Sequence, residues 1–378
     1  MHKRIEWVDS AKAIGMFLVF YSHYIERVNF VGNNTTIAFN QLQVIFSFHM
    51  PFFFMVAGFF AKQHQQLRNH FKKLFLTRII PVFSFAVLCI PVWLLYFKVT
   101  SGSFQVETVV KKGLFYLSGS PQLDFVTWFL ICLFTTELLA AVFGLPAKSK
   151  WVSLSWGMFF LFAGFFINKN IDFFILYTNI GKNFWYIHES ILALGFYLIG
   201  NGMYPIISEF RENKHKLIYA LIPLWFSLLI LFNNNNFTGD NVVIMANSEH
   251  GSLLPFLLNA FSGAILLISL GIIIPTNKTL SFIGKNSLLF LGLNGLFHHF
   301  LNIHIAKFFL LNNFWWSITL NCILITLISM AACYPVIIFI NKYLPQLFGK
   351  PTNKDPFLPN LDNLTPTGFQ TGTNLSAG

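Results

Sequence analysis

Residues 11–23 read AKAIGMFLVFYSH and place a lysine and a histidine inside one apolar run. Lys12 and His23 are separated by ten residues, and eleven helical steps of about 100° return almost to the starting azimuth. Both side chains would therefore lie on one helix face, roughly 16 Å apart along the axis. Ionisable groups in membrane helices usually face the protein interior or a water-filled path. This face suits a long anionic ligand whose reactive end lies at the histidine.

The composition is typical of a membrane protein. Of 378 residues, 55% are hydrophobic and 10% are charged, and the mean hydropathy is +0.62, whereas soluble domains carry about 25% charged residues. The net charge of +11 favours the membrane surface and anionic ligands over nucleic acid, because the cations lie in short loops between apolar runs. The four cysteines lie in apolar runs without metal-site or disulfide spacing, so we expect no metal.

Apolar runs of the length that crosses a bilayer, about 17–25 residues, predict an all-α polytopic membrane protein with ten transmembrane helices. Nothing alternates with period two, as the strands of a membrane barrel would. The predicted spans are 10–28, 44–61, 79–97, 125–143, 151–167, 184–206, 217–232, 253–274, 286–302 and 314–340.

The distribution of cations predicts the orientation. With a cytoplasmic N-terminus, eighteen of the 25 Lys and Arg residues fall on the cytoplasmic side, as the positive-inside rule requires. An even number of spans then places both the N- and C-termini in the cytoplasm. We expect residues 1–345 to form one transmembrane domain and residues 346–378, which are polar with scattered Pro and Gly, to form a short disordered cytoplasmic tail.

Two further residues accompany His23 as catalytic candidates. Glu26 lies three residues after His23, at helix-neighbour spacing, and can orient the imidazole and raise its basicity. His49 stands in FSFHMPFFFMVAGFF just before Pro51, at the outer end of the second span, so two histidines at similar depth can flank one site. The alternatives are a buried His23 bonded to a neighbouring helix and a His49 that anchors its helix end. Gly58 in the same span predicts close helix packing.

Basic residues at the predicted cytoplasmic side form the candidate anion site. The loop before the third span carries Lys72 and Lys73, and Arg78 opens that span. Topology alone produces basic cytoplasmic loops, but Arg and Lys also hold phosphates. Lys285 precedes the ninth span, whose free N-terminal N–H groups favour an anion.

The outer ends of the spans carry aromatic and histidine candidates. Trp128 and Trp185 are placed to anchor the protein in the interfacial belt or to stack on sugar rings. His298 and His299 end the ninth span, and two adjacent residues of a helix cannot face one direction, so at most one faces His23.

These motifs together resemble the membrane-bound acyltransferase-three family, the O-acetylases of polysaccharides and other glycans. The similarity covers nearly the whole membrane part in the family's order, and it is closest to the fucose 4-O-acetylase-like branch. The matching motifs are Lys12 and His23 at their spacing, FHMPFFF with GFF at 48–60, RIIP at 78–81, WFL at 128–130 and IGKNSLL at 283–289. Three positions depart from the family's pattern. Lys12 stands where the family often has arginine, and Ala57 where it commonly has serine. The ninth span of the family often has a histidine near position 294, where this chain has Asn294.

The resemblance implies an integral-membrane O-acyltransferase of the bacterial cytoplasmic membrane. It would move an acetyl or other short acyl group from cytosolic acetyl-CoA to a hydroxyl of an extracytoplasmic or lipid-linked glycan. His23 would be the general base, assisted by Glu26 and His49, with direct transfer rather than an acyl-enzyme. Partners would be the acyl-CoA, the glycan or glycolipid acceptor and membrane lipids. The CoA-binding candidates are Lys12, Lys72, Lys73, Arg78 and Lys285. The acceptor-binding candidates are Trp128, Trp185 and Asn294, and His49 and Asn294 are candidate oxyanion donors.

The sequence is also compatible with a protein of another functional class. A proton-coupled transporter or flippase for a glycan or small molecule would use His23 as a proton relay. Such a protein would bind its substrate without dependence on acyl-CoA.

Overall fold

The computed structural model describes residues 5–32, 36–62, 66–146, 149–178, 181–234, 242–309, 314–351 and 353. Within these ranges the chain is helical and has no strand apart from an isolated bridge between Ile244 and Glu249, which confirms the all-α prediction. The α-helices are α1 (Glu6–Val31), α2 (Thr36–Phe46), α3 (His49–Gly58), α4 (Leu67–Leu74), α5 (Ile80–Ser101), α6 (Val106–Leu114), α7 (Trp128–Val142), α8 (Lys150–Lys169), α9 (Ile171–Thr178), α10 (Ile187–Asn234), α11 (Leu253–Ile273), α12 (Lys278–Lys285), α13 (Ser287–Leu296), α14 (Asn302–Phe308) and α15 (Trp315–Tyr343).

Eight helical segments of the described ranges are long and apolar enough to cross a membrane. They are Thr36–Gly58, Leu67–Ser101, Phe125–Val142, Lys150–Lys169, Ile187–Glu212, Leu253–Ile273, Ser287–Phe308 and Trp315–Tyr343. Eight of the ten predicted spans correspond to these segments. The remaining two, 10–28 and 217–232, are helical but differ from them for separate physical reasons.

The first of these two, α1, is the most polar of the long helices and is largely enclosed by others. It carries Glu6, Asp9 and Lys12 in its first half, and Glu26 and Arg27 follow His23. These ionisable residues lower its hydropathy, and α1 is therefore not among the eight apolar segments. Sixteen of its 26 residues are buried, and α2, α11, α12, α14 and α15 pack around it. The large exposed apolar side chains lie instead on helices such as α5, α8 and α15. The helix that carries the ionisable residues is therefore shielded from lipid by the others.

The second exception is α10, in which two predicted spans join into one helical element. The sequence predicted a loop at 207–216, but helical hydrogen bonding continues over Ile187–Asn234. Asn201 donates to the carbonyl oxygens of Gly58 and Ala61, at the end of α3. Asn233 donates to Gln43 in α2, toward the opposite end of the Thr36–Gly58 segment that α2 and α3 form. In a straight helix Asn201 and Asn233 would lie about 48 Å apart, whereas 15 helical steps between Gln43 and Gly58 span about 22 Å, so α10 does not run straight between its two contacts.

Close helix packing between α3 and α10 depends on glycine. A Cβ atom at Gly58 would lie 1.8 Å from the carbonyl oxygen of Tyr197, and one at Gly200 would lie 2.0 Å from that of Met55. Because backbone atoms cannot yield as a side chain can, these helices approach each other only without a side chain at those positions. The predicted role of Gly58 is confirmed.

The segment after α15 is packed where it begins. Pro345–Phe348 forms a 3-10 turn, the Phe348 ring lies 5.0 Å from that of Phe85, and Ser84 Oγ donates to the Leu347 carbonyl oxygen (2.8 Å). The predicted domain boundary at 346 therefore falls inside a packed segment. Of the predicted tail, residues 352 and 354–378 lie outside the described residues.

Candidate functional site

Two cavities lie along α1. The smaller, which we name the His23 cavity, has a volume of about 190 Å³ and collects three histidines and a carboxylate. It is lined by Val19, His23, Glu26, Phe46, His49, Met50, Phe125, Val126, Trp128, Val243, Ile244, Met245, Ala246, Asn247, Leu291 and His298.

The larger cavity, which we name the Lys12 cavity, has a volume of about 790 Å³ and lies toward the other end of α1. Its lining contains four Lys and Arg residues, of which three belong to the predicted CoA-binding set. The four are Lys12, Lys62, Lys73 and Arg78. Ser287, the first residue of α13, also lines it, so the N–H end of a helix faces the cavity, which favours an anion.

The two cavities adjoin. Val19, Met50 and Leu291 line both of them, and Val19 lies between Lys12 and His23 in the sequence of α1. These three apolar side chains therefore form a wall that the two cavities share. This arrangement matches the shared helix face predicted from the spacing of Lys12 and His23.

Asn294 is the hydrogen-bond partner of His23. The Nδ1 atom of His23 lies 2.6 Å from Oδ1 of Asn294 in α13. Because an amide oxygen only accepts, Nδ1 carries the proton and Nε2 keeps a lone pair. The asparagine thereby fixes the tautomer in which Nε2 can act as a base. Asn294 was predicted to bind substrate, but its side chain is fully buried and does not line the His23 cavity.

Glu26 lies beside a different histidine from the one predicted. Its carboxylate is 3.7 Å from Nδ1 of His298, and Nη2 of Arg27 donates to Nε2 of the same ring (3.1 Å). The His298 ring lies 4.7 Å from the His23 ring. The sequence predicted that Glu26 orients His23. In the structure Asn294 orients His23 instead, and Glu26 contacts the neighbouring His298.

The chain places His298 and His299 on different sides through a π-helical turn, Phe297–Leu301. His298 faces His23, whereas Nε2 of His299 accepts from the Phe125 backbone N–H (3.1 Å). Only one of the adjacent histidines faces the site, as predicted. Such π turns occur frequently at functional sites.

His49 joins the cavity with its tautomer fixed as well. It begins α3, and its Nδ1 donates to the Ile45 carbonyl oxygen (2.8 Å). The neutral ring therefore has no proton on Nε2 and can accept a hydrogen bond there but cannot donate one. This geometry weighs against the predicted use of His49 as an oxyanion donor and favours contact with a hydroxyl.

The two predicted tryptophans have different surroundings. Trp128 lines the His23 cavity, and its ring packs on that of Tyr186 at 5.6 Å. Trp185 lines neither cavity. Its backbone lies against Gly119, its ring packs on Phe134, and its carbonyl oxygen accepts from Thr135. The structure therefore brings Trp128, but not Trp185, to the candidate site.

The predicted CoA-binding cations also separate into two groups. Lys12, Lys73 and Arg78 line the Lys12 cavity, whereas Lys72 and Lys285 do not. Lys285 is an exposed residue at the end of α12. Helical neighbours such as Lys72 and Lys73 point about 100° apart, so a basic run cannot direct every cation to one cavity.

Arg78 is not a bare cation in the cavity wall. It lies in a π-helical turn, Phe75–Ile79, and forms a two-point ion pair with Glu137 of α7, with Nε–Oε2 at 2.9 Å and Nη2–Oε1 at 3.1 Å. Glu137 and Tyr197 line the cavity with it. The pair fixes the orientation of the guanidinium and offsets much of its charge. Sequence reasoning missed Glu137 because 59 residues separate the partners.

We expect Arg78→Ala to destabilise the folded protein by about 1.5–3 kcal/mol, the range for hydrogen bonds to charged groups. The loss arises because the Glu137 carboxylate, which is largely buried, would lose both donors. Thermal unfolding in detergent measures it. Arg78→Ala/Glu137→Gln should recover part of the loss, because no unpaired carboxylate remains. Equal stability of Arg78→Ala and the wild type would contradict a structural role for the pair.

Comparison with known proteins supplies one match. A family model described as an acyltransferase domain matches residues 5–334, a range that contains every candidate residue named above. No curated protein and no solved structure matches the chain.

Proposed function

The chain belongs to the acyltransferase-three family and is an integral membrane protein, and from this premise we propose that it transfers an acetyl or other short acyl group from acyl-CoA to a glycan hydroxyl. The finer resemblance to the fucose 4-O-acetylase-like branch makes a 6-deoxyhexose residue the first acceptor to consider. The proposed location is the bacterial cytoplasmic membrane, with the donor entering from the cytoplasm and the acceptor from outside.

The observation that carries the proposal is the pair of adjoining cavities with different chemistry. The Lys12 cavity presents Lys12, Lys62, Lys73 and Arg78, which suits the phosphates of CoA. The narrow pantetheine arm would pass Val19, Met50 and Leu291 and bring the thioester to the His23 cavity. Phosphates cannot enter hydrocarbon cheaply, so a cationic cavity at one end of the bundle is where they must stay.

In the proposed reaction, Nε2 of His23 takes the proton of the acceptor hydroxyl. The hydroxyl oxygen attacks the thioester carbonyl carbon, and the carbon–sulfur bond of the resulting tetrahedral intermediate breaks. The CoA sulfur then takes the proton from His23, so the base is regenerated. The His23–Asn294 hydrogen bond supports this role, because it holds the proton on Nδ1 and keeps Nε2 available.

The charge that develops on the carbonyl oxygen requires a donor. His298 lines the same cavity, and because its Nε2 accepts from Arg27, the neutral ring carries its proton on Nδ1. That atom is buried and lies 3.7 Å from the Glu26 carboxylate, so it is not free to donate to the developing oxyanion. The Arg27 guanidinium beside the ring favours negative charge nearby.

The experiment that tests the proposal combines two measurements. Mass spectrometry of surface glycans from cells with and without the protein reveals the acceptor and the mass of the acyl group. Purified protein in lipid nanodiscs is incubated with radiolabelled acetyl-CoA and the glycan so identified, and transfer of label is followed. Unchanged glycans together with no acyl-CoA binding would overturn the proposal and favour the transporter or flippase.

The proposed orientation predicts where each loop is found. A reporter fused at residue 378 and one inserted at 63–65 should both read cytoplasmic, whereas one inserted at 235–240 should read external, because most cations then face the cytoplasm. Paired alkaline phosphatase and fluorescent-protein fusions measure this. An external reading at residue 378 would mean that the number of spans is odd.

A further inference from the structure

The loop at 242–250, between α10 and α11, forms one wall of the His23 cavity. Its contribution consists of Val243, Ile244, Met245, Ala246 and Asn247. Val243, Met245 and Ala246 are also buried in the main core, so the loop is an integral part of the site. Of these five residues only Asn247 has a polar side chain.

The backbone of this loop is held by its own hydrogen bonds. Ile244 and Glu249 exchange both backbone bonds, at 2.8 and 3.1 Å. The Asn247 N–H donates to the Ile244 carbonyl oxygen (2.8 Å), and Ser248 adopts a left-handed conformation with φ of 58°. The tight turn therefore fixes where Asn247 stands.

A buried histidine–carboxylate contact fixes the loop to the helix bundle. Nε2 of His250 lies 3.1 Å from Oε1 of Glu189, and the two side chains are 3% and 2% exposed. Glu189 lies in the first turn of α10, where the helix dipole favours a carboxylate. The His250 ring also packs on Phe256 in the first turn of α11 (5.1 Å) and on Phe165 of α8. Three helices thus set the position of one loop.

We propose that the 242–250 loop selects the acceptor, that Asn247 hydrogen-bonds it, and that Glu189 and His250 are positioning residues. This inference rests on the proposed function. A carboxamide both donates and accepts, which suits a hydroxyl adjacent to the one that is acylated, whereas the apolar residues of the loop pack against the sugar ring. A site built to hydrogen-bond a substrate group strongly disfavours analogues that lack it.

The test measures acceptor use and donor binding separately. Cells carry the wild type, Asn247→Ala or Glu249→Ala, and the initial rate of acyl incorporation into their own surface glycans is followed by mass spectrometry. Acetyl-CoA binding to each purified protein is measured by calorimetry. Glu249→Ala is the matched control, because Glu249 belongs to the same turn but is exposed and does not line the cavity.

We expect Asn247→Ala to lower the rate of incorporation at least about tenfold, the effect of one lost substrate hydrogen bond of 1.4 kcal/mol, while acetyl-CoA affinity stays unchanged. Glu189→Ala should lower incorporation with acetyl-CoA binding retained, and Glu189→Gln, which keeps an acceptor oxygen for His250, should restore much of it. Equal rates for Asn247→Ala and Glu249→Ala would overturn the role of the loop. A wild type that neither binds acetyl-CoA nor acylates glycans would instead overturn the proposed function.

Discussion

His23→Gln is expected to lower acyl transfer about 10²–10⁴-fold, the loss typical of removing a general base, with little change in acetyl-CoA affinity. The structural reason is that the hydrogen bond from Nδ1 of His23 to Asn294 keeps the proton on Nδ1, so Nε2 retains its lone pair and can accept a proton. A glutamine amide nitrogen has no such basicity. Transfer from radiolabelled acetyl-CoA by protein in nanodiscs measures the change, and calorimetry measures donor binding.

The matched control is His304→Gln. His304 is an exposed histidine of α14 that lines neither cavity, and its replacement should leave transfer unchanged. Asn294→Ala should lower the turnover number less than His23→Gln does, since the base remains but its tautomer is no longer fixed. Near-normal transfer by a correctly inserted His23→Gln protein would exclude His23 as the base and make His49 the next residue to test.

Lys12→Ala is expected to weaken acetyl-CoA binding about 10–100-fold, which corresponds to a charge-assisted hydrogen bond of about 1.5–3 kcal/mol. Lys12 lines the larger cavity, on the helix that also carries His23, and the CoA phosphates need cations there. Lys12→Arg should retain much of the affinity, because it keeps the charge and adds donors. Titration calorimetry with acetyl-CoA measures all three proteins.

The chain offers a control of equal charge for this experiment. Lys285 was predicted from sequence to bind CoA, but it is exposed and outside the Lys12 cavity. Lys285→Ala removes the same formal charge and should bind acetyl-CoA like the wild type. If Lys12→Ala and Lys285→Ala bind alike, the donor does not lie along α1, and the proposed path between the cavities fails.

The candidate site shows how far local sequence rules reach. The shared face of Lys12 and His23 follows from helix periodicity alone, and both residues line the adjoining cavities. The assignment of Glu26 to His23 used the same periodicity, yet the carboxylate lies beside His298. Periodicity gives the neighbours on one helix, whereas the choice among them depends on which other helix packs against that face.

What the sequence by itself determined is the helical membrane architecture and the placement of a lysine and a histidine on one helix face, because length, hydropathy and periodicity are local properties of the chain. Only the tertiary structure decided the partners of these residues. Asn294 contacts His23 across 271 positions, and Glu137 pairs with Arg78 across 59. Such contacts depend on how helices pack, and α10 continues as a helix through the region where a loop was predicted. The direction of each cation, into a cavity or away from it, was decided by the same packing.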